Sequence, residues 1–262
     1  MTRRVRIVLL RFLTLAALLL VWEALTGGLG LGWKVFETSI LARPSLIAAD
    51  FLAYGRSGLL LRDVQATLTA AFLGLFLGAI GGIAVGLLFG YLRTLAAVFE
   101  PLMVALNSLP RITVAPMLIL WFGLGMTSKV VLSLFTVFFV MFFNTFLGVR
   151  AVDPELVKVV RVMGGGPGDV ARMVVIPSVA SWIFAALRTC VSFALTGAVV
   201  GEFVGSTHGM GYRMLLAAGL LNTERVFAIM ILLMVVGVSL VEISRRVEQY
   251  LLRWRPPVAE MG

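Results

Sequence analysis

The chain has 262 residues, of which 60% are hydrophobic and 13% charged, and its formal net charge is +9. Soluble domains carry about 25% charged residues, and one soluble core cannot hide this much apolar surface from water. The composition therefore excludes an ordinary soluble domain and indicates an all-α or barrel-like protein embedded in a membrane.

Continuous apolar runs predict about six transmembrane helices, because roughly 20 residues rising about 1.5 Å each cross a ~30 Å hydrocarbon layer. The runs are continuous rather than alternating, which favours helices over barrel strands. The predicted spans lie near residues 7–27, 64–91, 95–121, 128–149, 179–204 and 225–245. The first span follows several arginines, as a signal peptide does, but no clear cleavage site accompanies it, so we expect an uncleaved span.

The second predicted span carries a glycine at every fourth position: Gly74, Gly78, Gly82, Gly86 and Gly90. Glycines four residues apart let helix backbones approach closely in lipid. Four residues turn about 400°, so this stripe winds slowly round its helix and suits a long, tilted contact. We expect close packing within the subunit or against a second copy; a contact that slides during a conformational cycle is the alternative.

The third predicted span is interrupted at Pro110, because proline lacks an amide and clashes with the preceding turn. We expect a break there, followed by a short apolar piece over Ala115–Phe122 near the outer surface or re-entrant. The chain is then organised as an N-terminal part with the first span (residues 1–62), a core of spans (63–245) and a C-terminal tail (246–262).

The distribution of basic residues predicts the orientation. Arginines and lysines before the first span, after the second, in residues 150–178 and after the last span share one side if six spans are correct. The opposite segments carry fewer and more mixed charges, including Asp50, Arg62 and Asp63 in the first. The positive-inside rule therefore places both termini and residues 150–178 in the cytoplasm. No basic stripe has interleaved aromatics, which disfavours nucleic-acid binding.

A polar segment, residues 150–178, lies between two apolar runs and is called the 150–178 loop below. Asp153 and Pro154 predict a helix start, an N-cap carboxylate followed by a proline whose missing amide costs nothing there. Four residues recur at helical spacing and predict one apolar face of this helix: Leu156, Val159, Val160 and Met163.

Glycines divide the 150–178 loop into two halves. Gly164 predicts a left-handed helix end, and the glycines and proline of residues 165–168 predict a sharp turn. A second short helix is expected from Asp169 to Val175, stopping before Pro177. The sequence thus predicts two short helices joined by a glycine turn along the cytoplasmic face.

Polar side chains within spans are functional candidates, because they are costly to place in lipid. Arg188 lies well inside the fifth predicted span, with Thr189, Ser192 and Thr196 on a polar stripe beside it. The candidates for a hydrophilic path are Arg111, Asn144, Arg188, Ser192, Thr196 and Glu202. Hydrogen bonds between helices are the alternative role for these residues.

The sequence offers no catalytic or nucleotide-binding pattern. It has no phosphate-binding G-x-x-x-x-G-K-[ST] motif, and the glycine cluster of residues 164–168 lacks the lysine and a preceding strand. One histidine (His208) and one cysteine (Cys190) cannot form a metal cluster of the usual kind. We therefore expect a protein that is not an enzyme and holds no metal or cofactor of its own.

One spacing resembles a known motif: Gly164, nine residues, Val174, one residue, Ile176 and Pro177. This pattern is similar to the EAA loop of bacterial ABC importer permeases. Further stretches resemble the nitrate/taurine/aliphatic sulfonate branch of that family: Pro116 to Gly125, Asn144-Thr145, Gly148-Val149-Arg150, Leu187-Arg188, Gly201-Glu202, Gly209-Met210-Gly211-Tyr212 and Arg253-Trp254. The resemblance covers nearly the whole chain from Pro44 onward.

The resemblance implies a type I ABC importer permease of the MetI-like fold in a bacterial inner membrane. It also implies a homodimer, two cytoplasmic ABC ATPase subunits that bind ATP and Mg²⁺, and an extracytoplasmic solute-binding protein. The implied solute is a small anion of the nitrate, taurine or sulfonate type, although this branch also handles vitamin precursors and heterocycles. An ion-coupled secondary transporter or channel is the alternative, but no convincing internal repeat supports it.

The 150–178 loop departs from the family pattern, because Lys158, Val159 and Val160 occupy the positions of E-A-A. Glu155 lies one turn earlier, at the i, i+3 distance from Lys158. The coupling residues that the resemblance implies are Glu155, Lys158, Val159, Val160, Gly164, Gly165, Val174, Ile176 and Pro177. We hypothesise docking through the apolar face and the Gly164 turn, with Glu155 or Lys158 as the polar contact; a Lys158 that contacts only solvent or lipid headgroups is the alternative.

Overall fold

The structure, a computed structural model, describes residues 3–28 and 40–251, and every regular element within those ranges is helical. Its helices are α1 (Arg3–Leu25), α2 (Pro44–Arg56), α3 (Leu59–Tyr91), α4 (Arg93–Asn107), α5 (Arg111–Phe122), α6 (Met126–Arg150), α7 (Pro154–Val162), α8 (Pro167–Val170), α9 (Ile176–Val204), α10 (Met210–Gly219) and α11 (Thr223–Leu251). A π-helical turn, Ala171–Val175, joins α8 to α9. The Arg253-Trp254 pair lies outside the described residues.

Five helices are long and apolar enough to cross a membrane: α1, α3, α6, α11 and the continuous helical segment that contains α9. The pair α4 and α5 makes a sixth if it counts as one span, and the two helices are bent by 93° at a short break. The predicted all-α, multi-pass architecture is thus confirmed. The predicted break is confirmed as well: Pro110 ends the gap, and the apolar piece after it is α5, which starts at Arg111.

The glycine stripe of α3 packs against α6 within the subunit. A Cβ atom on Gly82 would lie 2.6 Å from the carbonyl oxygen of Phe138, and one on Gly78 would lie 2.8 Å from that of Leu134. Real Cβ atoms do not approach backbone so closely, so only glycine allows this helix spacing. The four-residue periodicity of the stripe therefore matches the i, i+4 rows of α6 over four turns, and the two helices run parallel.

The third core helix, α9, runs antiparallel to α6 and packs against it through small residues. Gly197 faces Ser133 and Thr136, and Gly201 faces the backbone of Lys129. Hydroxyl groups join the two helices, since Ser133 Oγ donates to the carbonyl oxygen of Ala194 at 3.0 Å. The helices α3, α6 and α9 thereby form a tightly packed core whose two ends differ in chemistry.

The short helices α2 and α10 lie at the end of the core where α3 and α6 begin. Neither helix was predicted, because each is short: α2 has 13 residues and α10 has 10. α2 is fixed to α11 by Arg225, whose guanidinium donates to both oxygens of Asp50 at 2.6 and 2.9 Å. The opposite end of the core carries the 150–178 loop.

Candidate functional site

The first half of the 150–178 loop forms α7 with the predicted caps. The Asp153 carboxylate accepts a hydrogen bond from the Glu155 backbone N–H at 2.8 Å, and Pro154 occupies the first turn. Gly164 has φ +86°, the left-handed conformation that a helix end requires. The backbone N–H of Gly165 then returns to the carbonyl oxygen of Val160 at 2.9 Å. These local contacts give the loop a defined shape.

The four residues predicted to form the apolar face of α7 differ in how far they are buried. Val160, together with Val157, packs inward against a cluster that contains Val170, Val175 and Val179. The other predicted members, Leu156, Val159 and Met163, turn away from the bundle and are exposed, Met163 by 81%. At 100° per residue the four positions fall within an arc of about 100°, so the predicted shared face is present, and only Val160 at its edge packs against the bundle.

The second half of the 150–178 loop differs from the prediction. The helix expected over Asp169–Val175 does not stop before Pro177; the chain stays helical from Pro167 to Val204. Proline removes one i→i−4 hydrogen bond, and the π-helical turn just before Pro177 absorbs this interruption without ending the helix. The second half of the loop and the span α9 are therefore one continuous helix.

The polar residues of α7 form one surface ion pair. Lys158 Nζ lies 2.7 Å from Glu155 Oε1, and the two side chains are 66% and 73% exposed. An exposed pair of this kind stabilises a fold by only about 0–1 kcal/mol. Both groups are thus available for contact with another molecule at little cost to the fold.

One side of α9 is polar and exposed in the isolated chain: Arg188, Thr189, Ser192 and Thr196. Arg188 reaches the neighbouring helix α11, where its Nε donates to Glu248 Oε2 at 3.0 Å and its Nη2 contacts the same oxygen. Thr196 Oγ1 donates to the carbonyl oxygen of Ser192 within the helix at 2.9 Å. Arg188 thus makes a contact between helices, which is the alternative role that was left open for the polar span residues.

Arg111 contacts the same side of α9 at its other edge, away from Arg188. Its guanidinium lies 5.3 Å from the ring centroid of Phe193, so the bend between α4 and α5 brings it against α9. At 100° per residue, Ser192 and Thr196 lie between Arg188 and Phe193 on the helix surface. We call Arg111, Arg188, Ser192 and Thr196 the α9 polar face; it unites four of the predicted path residues.

The structure does not bring Asn144 and Glu202 to the α9 polar face. Asn144 is half-buried, and its Nδ2 donates to the carbonyl oxygen of Val140 within α6 at 2.8 Å. Glu202 is only 1% exposed and lies inside the core at the opposite end from the 150–178 loop. It belongs to a separate group of charged residues.

We call this group the buried polar cluster: Tyr54, Asp63, Thr67, Lys129, Glu202 and Arg213. Asp63 accepts hydrogen bonds from Tyr54 Oη at 2.7 Å and from Arg213 Nε at 2.9 Å. It also accepts from the backbone N–H of Gly209 at 3.0 Å. Burial, followed by the hydrogen bond to Asp63, raises the pKa of the Tyr54 phenol above its ordinary value. Asp63, which the sequence analysis counted among the loop charges, is thus fully buried.

Glu202 is the second acid of the buried polar cluster. It accepts from Thr67 Oγ1 at 2.9 Å and from the backbone N–H of Gly211 at 2.8 Å, and Lys129 Nζ lies 3.5 Å away. The same ammonium donates to the carbonyl oxygen of His208 at 2.7 Å. The negative charges of Asp63 and Glu202 are thus balanced by Lys129 and Arg213. Each carboxylate also accepts a hydrogen bond from a backbone N–H at the start of α10 or just before it.

The backbone at the start of α10 approaches the Glu202 side chain closely, which explains why glycines occur in both sequence stretches. Gly209 has φ +120°, and a Cβ atom there would lie 2.0 Å from Glu202 Oε1. A Cβ on Gly211 would lie 2.7 Å from the carbonyl oxygen of Val199. The stretches Gly201-Glu202 and Gly209 to Tyr212 therefore form one unit. Lys129 lies within the predicted span 128–149 and met the criterion for a polar span residue, but it was not among the predicted path residues.

Residues 74–252 match the family model described as "Binding-protein-dependent transport system inner membrane component". The chain is 33% identical over 240 residues to the putative aliphatic sulfonates transport permease protein of Bacillus subtilis (strain 168), covering 92% of this chain and 85% of that protein. It is also 33% identical over 241 residues to the riboflavin transport system permease protein of Chloroflexus aurantiacus, covering 92% and 88%.

Among solved structures, the chain is similar to the methionine ABC transporter MetNI in an inward-facing conformation. The match has a TM-score of 0.65 at 19% sequence identity and covers 75% of this chain and 97% of that chain. At this identity the likeness concerns the fold, which is that of a MetI-type permease.

Proposed function

Because the chain belongs to the inner membrane components of binding-protein-dependent transport systems, and so is a multi-pass ABC importer permease, we propose separate roles for its two partly exposed sites. The α9 polar face lines the path of the transported solute. The 150–178 loop receives the cytoplasmic ATPase, which binds ATP and Mg²⁺ and carries out the hydrolysis that this chain does not perform.

The observation that carries this proposal is the continuous helix from Pro167 to Val204. Its first turns belong to the 150–178 loop, and its middle carries the α9 polar face. A displacement of the second half of the loop by a partner is therefore transmitted along one helix, through the π-helical turn, to Arg188, Ser192 and Thr196. This arrangement suits a subunit in which motion generated outside the membrane opens and closes a path within it.

The exposed side of α7 supports an ATPase as the partner of the 150–178 loop. Leu156, Val159 and Met163 present an apolar surface next to the Glu155–Lys158 pair. Interfaces of this kind combine an apolar centre with a polar rim. The apolar side chains then provide most of the contact, and Gly164, Gly165 and Pro177 hold the loop in the required shape.

The orientation and the remaining partners follow from charge and symmetry. The basic residues at the loop end favour the cytoplasmic side, which places the buried polar cluster at the outer side of the membrane. A polar helix face exposed in one subunit is unfavourable in lipid, so a second copy is expected to cover it and enclose the path. A solute-binding protein then meets the dimer at the outer side.

We assign a small anion as the solute. Guanidinium groups suit sulfonate or carboxylate oxygens, and at the α9 polar face Arg188 is paired with Glu248 whereas no described acidic side chain pairs with Arg111. The relatives are named for aliphatic sulfonates and for riboflavin, so the family spans different solutes. Sulfonates agree best with the positive charge of Arg111.

Uptake by proteoliposomes that contain the chain, its ATPase and its binding protein tests this function. We expect ATP-dependent accumulation of an alkyl sulfonate or taurine without any ion gradient. Replacing Arg111 with glutamine should lower the uptake of the anion, whereas Arg56→Gln, which alters an exposed arginine at the end of α2, should not. Uptake that is driven by an ion gradient without the ATPase would identify a secondary transporter and contradict the proposal.

A further inference from the structure

A groove of about 740 Å³ lies between α7 and the adjacent ends of α3 and α6. Four basic side chains line it: Arg93, Arg150, Lys158 and Arg161. Its walls are otherwise formed mainly by valines and by Tyr91. Such a concentration of cations in one concave surface is suited to a phosphate group.

The cations in the groove are only partly neutralised. Arg150 lies 3.5 Å from Glu100 and stacks over a phenylalanine ring, and Lys158 pairs with Glu155. Within residues 3–28 and 40–251, neither Arg93 nor Arg161 has an ion pair with an acidic side chain. The groove therefore keeps two positive charges that no acidic side chain in the described part of the chain balances.

A second groove of about 640 Å³ adjoins the first at the corner between α3 and α4. It shares Tyr91 and Arg93 with the basic groove, but its other walls are apolar and include Leu92, Leu95, Val98 and Phe99. A cationic surface and an apolar surface thus meet at Arg93. A ligand with an anionic head and a hydrocarbon tail is complementary to both.

We propose that the two grooves together bind an anionic phospholipid of the surrounding bilayer. Its phosphate lies between Arg93 and Arg161, and one acyl chain lies along Val98 and Phe99. The corner where α3 ends is where a membrane surface is expected, and Tyr91 is of the residue type enriched there. The headgroup joins the start of α4 to α7, so the lipid holds the 150–178 loop against the bundle. This inference requires neither the ATPase nor a particular solute.

Lipid binding to the purified full chain tests the proposal. The chain is placed in phosphatidylcholine nanodiscs with a minor fraction of phosphatidylglycerol, and retained lipid is measured by native mass spectrometry. Each basic residue near a membrane surface contributes about fivefold to anionic lipid binding, so the double variant Arg93→Gln/Arg161→Gln should lose on the order of 25-fold in preference for phosphatidylglycerol. The exposed Arg172→Gln, which lies at the same end but outside the groove, should retain the preference.

A second pair of experiments separates a lipid from a free anion. Val98→Ser/Phe99→Ser should weaken retention of phosphatidylglycerol while leaving the four basic residues in place, because the acyl chain loses its apolar groove. Inorganic phosphate in millimolar excess should not displace the lipid. Equal retention of the two lipids by the unaltered chain, or full displacement by inorganic phosphate, would overturn the assignment.

Discussion

The two ends of the helical core treat charged residues in opposite ways. In the buried polar cluster, Asp63 and Glu202 are almost completely buried, and each has at least three hydrogen-bond donors. In the 150–178 loop, Glu155 and Lys158 are mostly exposed and have only each other. At one end the acidic side chains find their hydrogen-bond partners within the chain, whereas the other end exposes charged and apolar side chains to its surroundings.

This difference separates structural roles from contact roles. Charges taken out of water must be paired and hydrogen-bonded, so the cluster is bound to its present arrangement. It fixes the turn between α9 and α10 and the start of α3. Replacing exposed charged or apolar side chains changes the free energy of unfolding little. The exposed residues of the 150–178 loop can therefore serve contact with a partner without loss of stability. Stability changes should therefore concentrate at the first end and association changes at the second.

The largest expected effect comes from removing one charge of the buried polar cluster. Glu202→Ala leaves the Lys129 ammonium buried without its carboxylate, which should lower the free energy of unfolding by roughly 3–5 kcal/mol. The measurement is unfolding of the purified chain in mixed micelles. The matched control, Glu155→Ala, removes an acid from an exposed pair and should change this free energy by less than about 1 kcal/mol.

A second variant tests whether the loss comes from the unpaired charge. Replacing Lys129 with methionine in the Glu202→Ala chain removes the orphaned ammonium and should recover part of the lost stability. Similar destabilisation by Glu202→Ala and Glu155→Ala would remove the distinction between the two ends.

The next largest effect concerns the packing that holds the two ends at a fixed separation. A Cβ atom on Gly82 would meet the Phe138 carbonyl oxygen at 2.6 Å, so Gly82→Ala should destabilise the chain by about 1–3 kcal/mol. Gly81→Ala is the control, because its Cβ would lie 3.4 Å from the Phe138 ring, an ordinary contact. Thermal unfolding in detergent should separate the two variants, and equal midpoints would show that α3 and α6 are not in close contact.

The third prediction concerns association rather than folding. Met163→Asp places a charge in the exposed apolar surface of α7 and should weaken binding of the ATPase at least tenfold. Its effect on unfolding should stay within about 0.5 kcal/mol, because Met163 is 81% exposed. Leu220→Asp, which alters a similarly exposed residue at the opposite end, should leave ATPase recovery by affinity purification unchanged. Full recovery with Met163→Asp would show that the partner binds elsewhere.

The smallest expected effect comes from the polar contact of the 150–178 loop. The charge reversals Glu155→Lys and Lys158→Glu should change stability by less than about 1 kcal/mol, since both groups are exposed. At least one of them should reduce co-purification of the ATPase severalfold. Unchanged assembly and transport in both variants would leave the apolar surface as the whole contact.

Local sequence patterns predicted the features that depend on neighbouring residues. The cap at Asp153, the left-handed turn at Gly164 and the break at Pro110 each follow from the conformational preferences of one or two residues. The glycine stripe of α3 indicated close packing, because glycines four residues apart lie along one side of a helix. The apolar runs located the spans, because their length matches the thickness of the hydrocarbon layer.

The features that depend on distant residues were not predicted. Lys129 and Glu202 are 73 positions apart, and Asp63 and Arg213 are 150 positions apart. Their pairing follows from how the helices pack, which no local pattern encodes. Which of the apolar residues of α7 pack on the bundle was not predicted either, because this depends on the valines that the helix meets in residues 170–179.

Cross-linking of the assembled transporter tests the central claim most directly. In a Cys190→Ala background, a cysteine is introduced either by Val162→Cys, where the valine is 88% exposed in the 150–178 loop, or by Leu220→Cys, where the leucine is 73% exposed at the other end. A bifunctional thiol reagent should join the Val162→Cys chain to the ATPase, with a yield that changes on ATP addition, and should leave the Leu220→Cys chain unjoined. Cross-linking of the ATPase to the Leu220→Cys chain alone would contradict the account.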